Sequence, residues 1–163
     1  MAQTGLEVFD ATIQQTNGWL KQVAERLGPT PGDGRHRAYT ALRGTLHALR
    51  DRVTPDQAAH LGAQLPMLVR GIFYEGWRPS ETPRKERHKE QFLAHVAEAF
   101  RKEPDVDAEA VATAVFAVMA RQLDPGEVEK LVATMPEEVR DMWPAHMVVA
   151  AMERVQRPGW GQA

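Results

Sequence analysis

The apolar residues of this chain recur at alternating steps of three and four, which is the spacing of amphipathic helices. One seam predicts a helix over about 36–52 and consists of Tyr39, Leu42, Leu46, Leu49 and Val53. Three arginines lie away from it: Arg37, Arg43 and Arg50. An equivalent seam over about 107–122 is widened by Val111, Val115 and Val118, so we expect that helix to be buried on two sides at the centre of the molecule. No stretch alternates with period two, and the predicted fold class is all-α.

The pattern repeats when the chain is shifted by 70 positions. The identical pairs are Pro55/Pro125, Leu61/Leu131, Ala63/Ala133, Pro66/Pro136, Val69/Val139 and Arg70/Arg140. Repetition at a fixed offset indicates a duplicated helical unit whose copies bury their apolar faces together. We predict two four-helix halves, residues 1–80 and 81–163, packed into one compact domain with a shared core and an added helix over about 145–156.

Local signals predict where helices begin. Thr54-Pro-Asp-Gln57 and Asp124-Pro-Gly-Glu127 each offer an N-cap side chain, a proline at the first helical position, and Gln or Glu three residues after the cap. Pro66 and Pro136 each predict a corner into a fourth helix, because proline cannot continue the preceding one. In both copies that helix is expected to close in large apolar residues, Ile72-Phe-Tyr74 and Met142-Trp143.

An earlier pair of helices is predicted at Trp19–Leu27 and Phe92–Phe100. The first extends back along the same stripe through Ile13, Phe9 and Leu6, with Asn17-Gly18 as a candidate interruption, because such a pair often turns the chain. Residues 75–87 predict a polar linker, and residues 158–163 are expected to form a loose tail.

Composition narrows the class of protein. No run of about 18 apolar residues occurs, so we expect no membrane span. The first residues lack the basic start and apolar stretch of a secretory signal. The chain has no cysteine, which excludes disulfides and thiolate metal sites and fits a cytoplasmic location.

The net charge of −2 is unevenly distributed, with a balance of +4 over residues 1–102 and −7 over residues 103–143. Opposite net charges can attract one half of the chain to the other half, or one copy of the chain to a second copy. The alternative is that each half simply has a solvated face. We expect no nucleic-acid binding. The fourth helix of the first copy offers only Arg70 to phosphate, and Glu137, Glu138 and Asp141 repel it in the second.

Candidate chemistry is sparse. His88, Glu90, His95 and Glu98 fall on one predicted helix, but a helical-bundle metal site needs Glu-x-x-His pairs on two helices, and the first copy has Gln22 in place of His95. His47 and Asp51 are four residues apart without a nucleophile to complete a catalytic set. Phosphate-loop, dinucleotide and Gly-x-Ser-x-Gly motifs are absent from the sequence. We therefore expect no enzyme activity, metal or cofactor.

Longer motifs resemble a known family. They are the starts at Trp19 and Phe92, the stretch from Ala41 to Arg52, Ala63-Gln-Leu-Pro66, and Arg70-Gly-x-x-Tyr74-Glu-Gly-Trp77. On these residues the chain is similar to the bacterial family called domain of unknown function 2267. The resemblance implies a small all-helical fold with tandem halves and no established activity. The second copy departs from the pattern, with Asp141-Met-Trp-Pro144 in place of the longer aromatic stretch.

The candidate partner-binding residues stand at equivalent positions in the two copies. They are Arg70, Phe73, Tyr74, Trp77, Arg140 and Trp143. Tryptophan, tyrosine and arginine are enriched where protein interfaces hold. The structural alternative is that each arginine lays its stem along apolar surface and meets a carboxylate. Trp160 in the tail is either a further docking residue or part of a disordered end.

The leading hypothesis is a non-enzymatic protein–protein interaction or self-association module. The alternative is a helical pocket for a small apolar ligand, lined by flexible thioethers at Met119, Met135, Met142 and Met147.

Overall fold

The computed structural model describes residues 4–32 and 34–161. Within these ranges the chain forms nine α-helices and no strand, and the all-α prediction is confirmed. The helices are α1 Glu7–Leu27, α2 Gly34–Arg52, α3 Pro55–Gln64, α4 Met67–Tyr74, α5 Lys89–Glu98, α6 Ala108–Gln122, α7 Pro125–Ala133, α8 Glu137–Arg140 and α9 Ala145–Val155. One 3-10 turn, Pro79–Glu81, interrupts the segment between α4 and α5. No helix in the described ranges has both the length and the hydropathy needed to cross a bilayer.

The centre of the molecule is formed by α2 and α6 together. These two helices contact each other, and α1 and α5 each pack against both of them. Leu46 of α2 and Val115 and Phe116 of α6 are fully buried in one apolar core. The expected burial of α6 on two sides is confirmed, and α2 shares its central position.

The helix starts follow the capping signals. The Thr54 hydroxyl accepts from the Gln57 backbone N–H at 3.2 Å, and the Gln57 side chain accepts from the Thr54 N–H at 2.9 Å. At α7 the Asp124 carboxylate accepts from the Glu127 N–H at 3.2 Å. Each set of bonds satisfies N–H groups that a helix start leaves without an intrahelical partner.

The expected interruption at Asn17-Gly18 is wrong. Helix α1 runs through both residues for 21 residues. Thr16 and Trp19 on either side are buried, and the Arg35 guanidinium bonds to the Asn17 side chain. Tertiary packing therefore overrides the local turn preference of this pair.

The expected end of the fourth helix in the second copy also differs from the structure. Helix α8 ends at Arg140, so Met142 and Trp143 follow it in a turn; the residue before a proline disfavours helical dihedrals, and Pro144 stands directly after Trp143. Of the tail predicted to be loose, residues 158–161 form turns in which Pro158, Gly159 and Gly161 are exposed, and residues 162–163 lie outside the described residues. Trp160 is half-buried, with the Arg154 guanidinium 6.0 Å from the centre of its ring.

Two ion pairs and one histidine–carboxylate contact join the basic part of the chain to the acidic part. They are Arg37–Glu103 at 3.9 Å, Lys89–Glu109 at 3.3 Å and His88–Glu138 at 3.5 Å. Pairs this exposed contribute at most about 1 kcal/mol each. They orient the surfaces that meet, while the apolar core supplies most of the stability.

Candidate functional site

Arg70 and Tyr74 of α4 both bind α3, Arg70 at its carboxyl end and Tyr74 within the helix. The Arg70 guanidinium donates to the carbonyl oxygens of Gly62 at 2.8 Å and Leu65 at 3.0 Å. The Tyr74 hydroxyl donates to the carbonyl oxygen of Ala58 at 3.3 Å. The Gly62 and Leu65 carbonyls lie where α3 runs out of its own N–H donors, whereas the Ala58 carbonyl lies within the helix. Arg70 therefore caps the carboxyl end of α3. The alternative to partner binding had expected its guanidinium to meet a carboxylate instead.

The neighbouring aromatic residues form a ladder. The ring of Tyr74 lies 5.1 Å from that of Phe73 and 5.3 Å from that of Trp77, measured between centroids. Phe73 is fully buried, whereas Tyr74 and Trp77 are half-buried. In this conformation Phe73 has no surface for a partner, and Tyr74 and Trp77 offer only part of theirs.

The corresponding residues of the second copy have different surroundings. Trp143 is buried and stacks on Phe116 of α6, with a centroid distance of 4.2 Å and an interplanar angle of 6°. Arg140 lies 3.9 Å from the Asp141 carboxylate, and its Nε is buried without a hydrogen-bond partner. The structure thus places Arg70 and Tyr74 against α3, Trp77 against the Tyr74 ring, and Trp143 in the core.

The buried residue Arg50 was not singled out by the sequence pattern, which places it away from the apolar seam. It is only 5% exposed. Its Nη1 donates to the carbonyl oxygens of Phe73 and Glu75, both at 2.9 Å, and its Nε donates to the Asp51 carboxylate at 2.9 Å. Arg50 therefore joins α2 to the end of α4.

His47 and Asp51 do not form a catalytic pair in this arrangement. The His47 Nε2 lies 2.7 Å from the carbonyl oxygen of Ile72, and Asp51 is held by Arg50. Burial lowers the pKa of His47 below its ordinary value; the bond to Ile72 opposes this effect, and the charge of Arg50 adds to it. The neutral ring is therefore favoured.

The histidines and carboxylates weighed as metal ligands are dispersed. His95 pairs with Glu86 at 2.8 Å, and His88 lies near Glu138 of α8. A hydrogen bond of 2.7 Å from the Lys89 backbone N–H lowers the pKa of Glu138 and joins α8 to the start of α5. In the part of the chain that the structure describes, no three metal-binding side chains come together.

Large apolar side chains are exposed where α1 meets the start of α4. They are Leu6, Val8, Phe9, Met67 and Leu68, with 43–53% of each side chain exposed. The two helices are joined by a hydrogen bond of 2.9 Å from the Leu68 N–H to the Thr12 hydroxyl, one turn after Val8 and Phe9. We call these five residues the apolar patch. Sequence reasoning put Leu6 and Phe9 on the core stripe, but the core begins only at Thr12.

A groove of about 650 Å³ lies between α3, α7 and the turn that follows α9, and we call it the α3–α7 groove. Its apolar lining consists of Leu61, Leu123, Val128, Leu131 and Trp160. Its polar rim includes Gln57, His60, Gln64, Glu127, Lys130, Thr134, Arg154 and Arg157. The four methionines expected to line a cavity are packed in the core instead, each with no more than 5% of its surface exposed.

Comparison with known proteins identifies one family. The family model described as "Uncharacterized conserved protein (DUF2267)" matches residues 16–142. No curated protein sequence matches the chain. The matched range includes the second half of α1 and all of α2 to α8. It begins after the α1 residues of the apolar patch and ends before α9.

Proposed function

This chain belongs to the DUF2267 family of uncharacterized conserved proteins, and we propose that it is a non-enzymatic helical module that associates with a second copy of itself through the apolar patch. The observation that carries the proposal is the joint exposure of five large apolar side chains on two adjoining helices. About half of five such side chains amounts to a few hundred Å², the size at which an exposed patch on a monomer is often functional.

Opposite charges beside the apolar patch favour a second copy as the occupant. Glu7 lies between Leu6 and Val8 in the chain and Arg70 follows Met67 by one turn, and both residues are exposed. A two-fold interface pairs the same surface with itself in inverted orientation. It thereby brings Glu7 of one copy toward Arg70 of the other while the apolar side chains meet.

The patch area sets the expected strength of association. A stable interface buries about 800 Å² on each partner, which is more than the five side chains supply. The patch is therefore the centre of an interface that also needs polar surface around it. We propose a concentration-dependent dimer whose apolar centre makes it persist at high salt.

The test compares molar mass by light scattering from micromolar to near-millimolar protein, at low and high salt. We expect the wild type to shift toward a dimer as concentration rises and Phe9→Glu to stay monomeric, because a carboxylate in the patch centre must lose its water. Val149→Glu is the matched control, since Val149 is 58% exposed on α9, outside the patch. A wild-type chain that remains a monomer throughout refutes the proposal.

The earlier site prediction enters this proposal in part. Arg70 contributes from the rim, with Tyr74 and Trp77 beside it on and after α4. Phe73 and Trp143 act from the core as packing residues, and Arg140 remains a proposed contact on α8. We further propose a tandem duplication of the helical unit, which is supported by α3 and α7 starting at positions 70 apart. A cytoplasmic location is part of the same proposal.

A second candidate function is the binding of a small ligand with an apolar body. The α3–α7 groove favours it, because its volume falls within the range of about 300–1,000 Å³ typical of ligand sites. Native mass spectrometry of protein purified from its own host is the first test. A copurifying compound supports this function, and a mass equal to that of the bare chain counts against it.

A further inference from the structure

We infer that the α3–α7 groove binds a single-chain amphiphile with an anionic head, of the fatty-acid carboxylate class. This inference rests on the second candidate function and is independent of self-association. It follows from three features of the groove: the paired positions that line it, its apolar floor, and the Arg157 guanidinium among its lining residues.

The lining comes from equivalent positions of the two sequence copies. Four pairs of residues 70 apart face the same groove: Gln57/Glu127, His60/Lys130, Leu61/Leu131 and Gln64/Thr134. Each helix thus contributes a leucine, a nitrogen-bearing side chain and two further polar residues. Because α3 and α7 present similar side chains to the groove, the groove has an apolar middle and polar edges.

The floor suits a hydrocarbon chain. Leu61 and Leu131 approach from α3 and α7, and Leu123 and Val128 extend the apolar surface beneath them. The Trp160 ring closes one side and is held by the Arg154 guanidinium. Apolar area removed from water contributes about 25 cal/mol per Å², so the body of the ligand supplies most of the binding free energy.

The charges at the rim select the head group. Glu127 pairs with Lys130 at 3.3 Å and Glu129 with Arg154 at 2.9 Å, so these cations already have carboxylate partners. Arg157 and His60 also line the groove, and among the described residues neither side chain has a hydrogen bond or ion pair. Arginine stays protonated in proteins and binds carboxylates through two parallel N–H groups. Arg157 is therefore the expected head-group contact.

The shape of the groove favours a chain molecule over a partner helix. A helix with its side chains is about 10–12 Å across, which is much wider than a single hydrocarbon chain. Here the turn formed by residues 158–161 stands against the groove as a wall. We therefore expect a narrow hydrocarbon chain to bind beside that wall without displacing Trp160.

The experiment titrates the whole chain with cis-parinaric acid below its micelle concentration, then displaces it with palmitic acid, the corresponding fatty alcohol, or an alkyltrimethylammonium of equal length. We expect cis-parinaric acid to bind saturably with one site per chain. Palmitic acid should displace it most effectively, the fatty alcohol less effectively, and the alkyltrimethylammonium least. An acidic amphipathic peptide serves as a further competitor, and we expect it not to displace the probe.

Three variants locate the site. Gln64→Trp fills the groove from the exposed side of α3 and should weaken acid binding at least about tenfold, the cost of losing roughly 1.4 kcal/mol. Arg157→Glu should weaken acid binding about fivefold, the upper value for an exposed pair, and leave alcohol binding unchanged. Arg26→Glu reverses an exposed charge on α1, outside the groove, and should change neither. Unfolding curves check that each variant is folded.

The outcomes separate the proposals. Equal binding of acid, alcohol and cation, unaffected by Arg157→Glu, overturns the anionic head group while leaving the second candidate function standing. Absence of binding, unchanged binding in Gln64→Trp, or displacement by the peptide alone overturns the inference itself. Phe9→Glu should retain acid binding, so failure of self-association leaves this result interpretable.

Discussion

The phenol ring of Tyr74 lies directly against Gly62, so that α4 packs on α3 where α3 has no side chain. An added Cβ at Gly62 would lie 2.9 Å from the Tyr74 Cε2 and closer still to Cζ and the hydroxyl oxygen. The same hydroxyl bonds to Ala58, and Arg70 bonds to the Gly62 carbonyl. The absence of a side chain at Gly62 is thus a condition for the α3–α4 corner.

Gly62→Ala should lower the free energy of unfolding by about 1–3 kcal/mol, because the methyl group overpacks the contact with Tyr74. Gly71→Ala on α4 is the matched control. A Cβ there meets open space, and replacing glycine within a helix stabilises by about 0.5–1 kcal/mol. Urea unfolding of both variants measures the difference, and equal stability of the two would refute the close contact.

Replacing Arg50 should be the most destabilising change of a charged residue in this part of the molecule. Arg50→Met removes four hydrogen bonds, one each to the Phe73 and Glu75 carbonyls and two to the Asp51 carboxylate, and we expect a loss of about 3 kcal/mol. Arg43→Met is the control. Arg43 is more exposed and makes one ion pair, with the Glu75 carboxylate at 3.6 Å, so its replacement should lower the free energy of unfolding by less than about 1 kcal/mol. Thermal or urea unfolding checks both values; similar losses would contradict the structural role of Arg50.

His47 should make the protein less stable in mild acid. Its pKa in the folded chain lies below its ordinary value of 6.5, chiefly because burial disfavours the charged ring. Below pH 6.5 the unfolded chain therefore binds a proton that the folded chain does not. The free energy of unfolding is at its full value above pH 6.5 and falls as the pH drops from there toward the lowered pKa.

Urea unfolding of wild type and His47→Gln on either side of pH 6.5 measures this effect. Glutamine can still donate a hydrogen bond to the Ile72 carbonyl but does not titrate. The difference in stability between the two proteins should therefore change with pH, since the other titrating groups are common to both. A constant difference across this range would exclude His47 as the source.

Trp143 should behave as a core residue. Trp143→Ala should cost about 3–5 kcal/mol through the cavity left against Phe116. Trp143→Phe should cost less, about 1–2 kcal/mol, because it also removes a buried indole N–H that has no hydrogen-bond partner. Unfolding measurements test both values. A cost near zero for Trp143→Ala, together with lost self-association, would instead favour a direct role in partner binding.

Much of the helical framework could be read in advance from the sequence. The proline-marked starts of α3 and α7 lie where the capping residues predict them, since a cap is a contact within four neighbouring residues. The seam residues Leu42, Leu46 and Leu49 are all buried. The candidate site was harder to predict from the sequence. Phe73 and Trp143 are of residue types that are common at protein interfaces, and only their packing in the structure shows that they are buried.

The sequence by itself determined the helical class, the repeated start signals and the apolar seams, because these depend on backbone hydrogen bonding and on spacing along the chain. Tertiary structure decided which apolar residues remain exposed. Leu6 and Phe9 continue the stripe of α1, yet they are left in solvent because the core against which that stripe packs begins a turn later. It also decided that α3 and α7 enclose a groove, since the distance between two helices depends on how they pack against the rest of the fold.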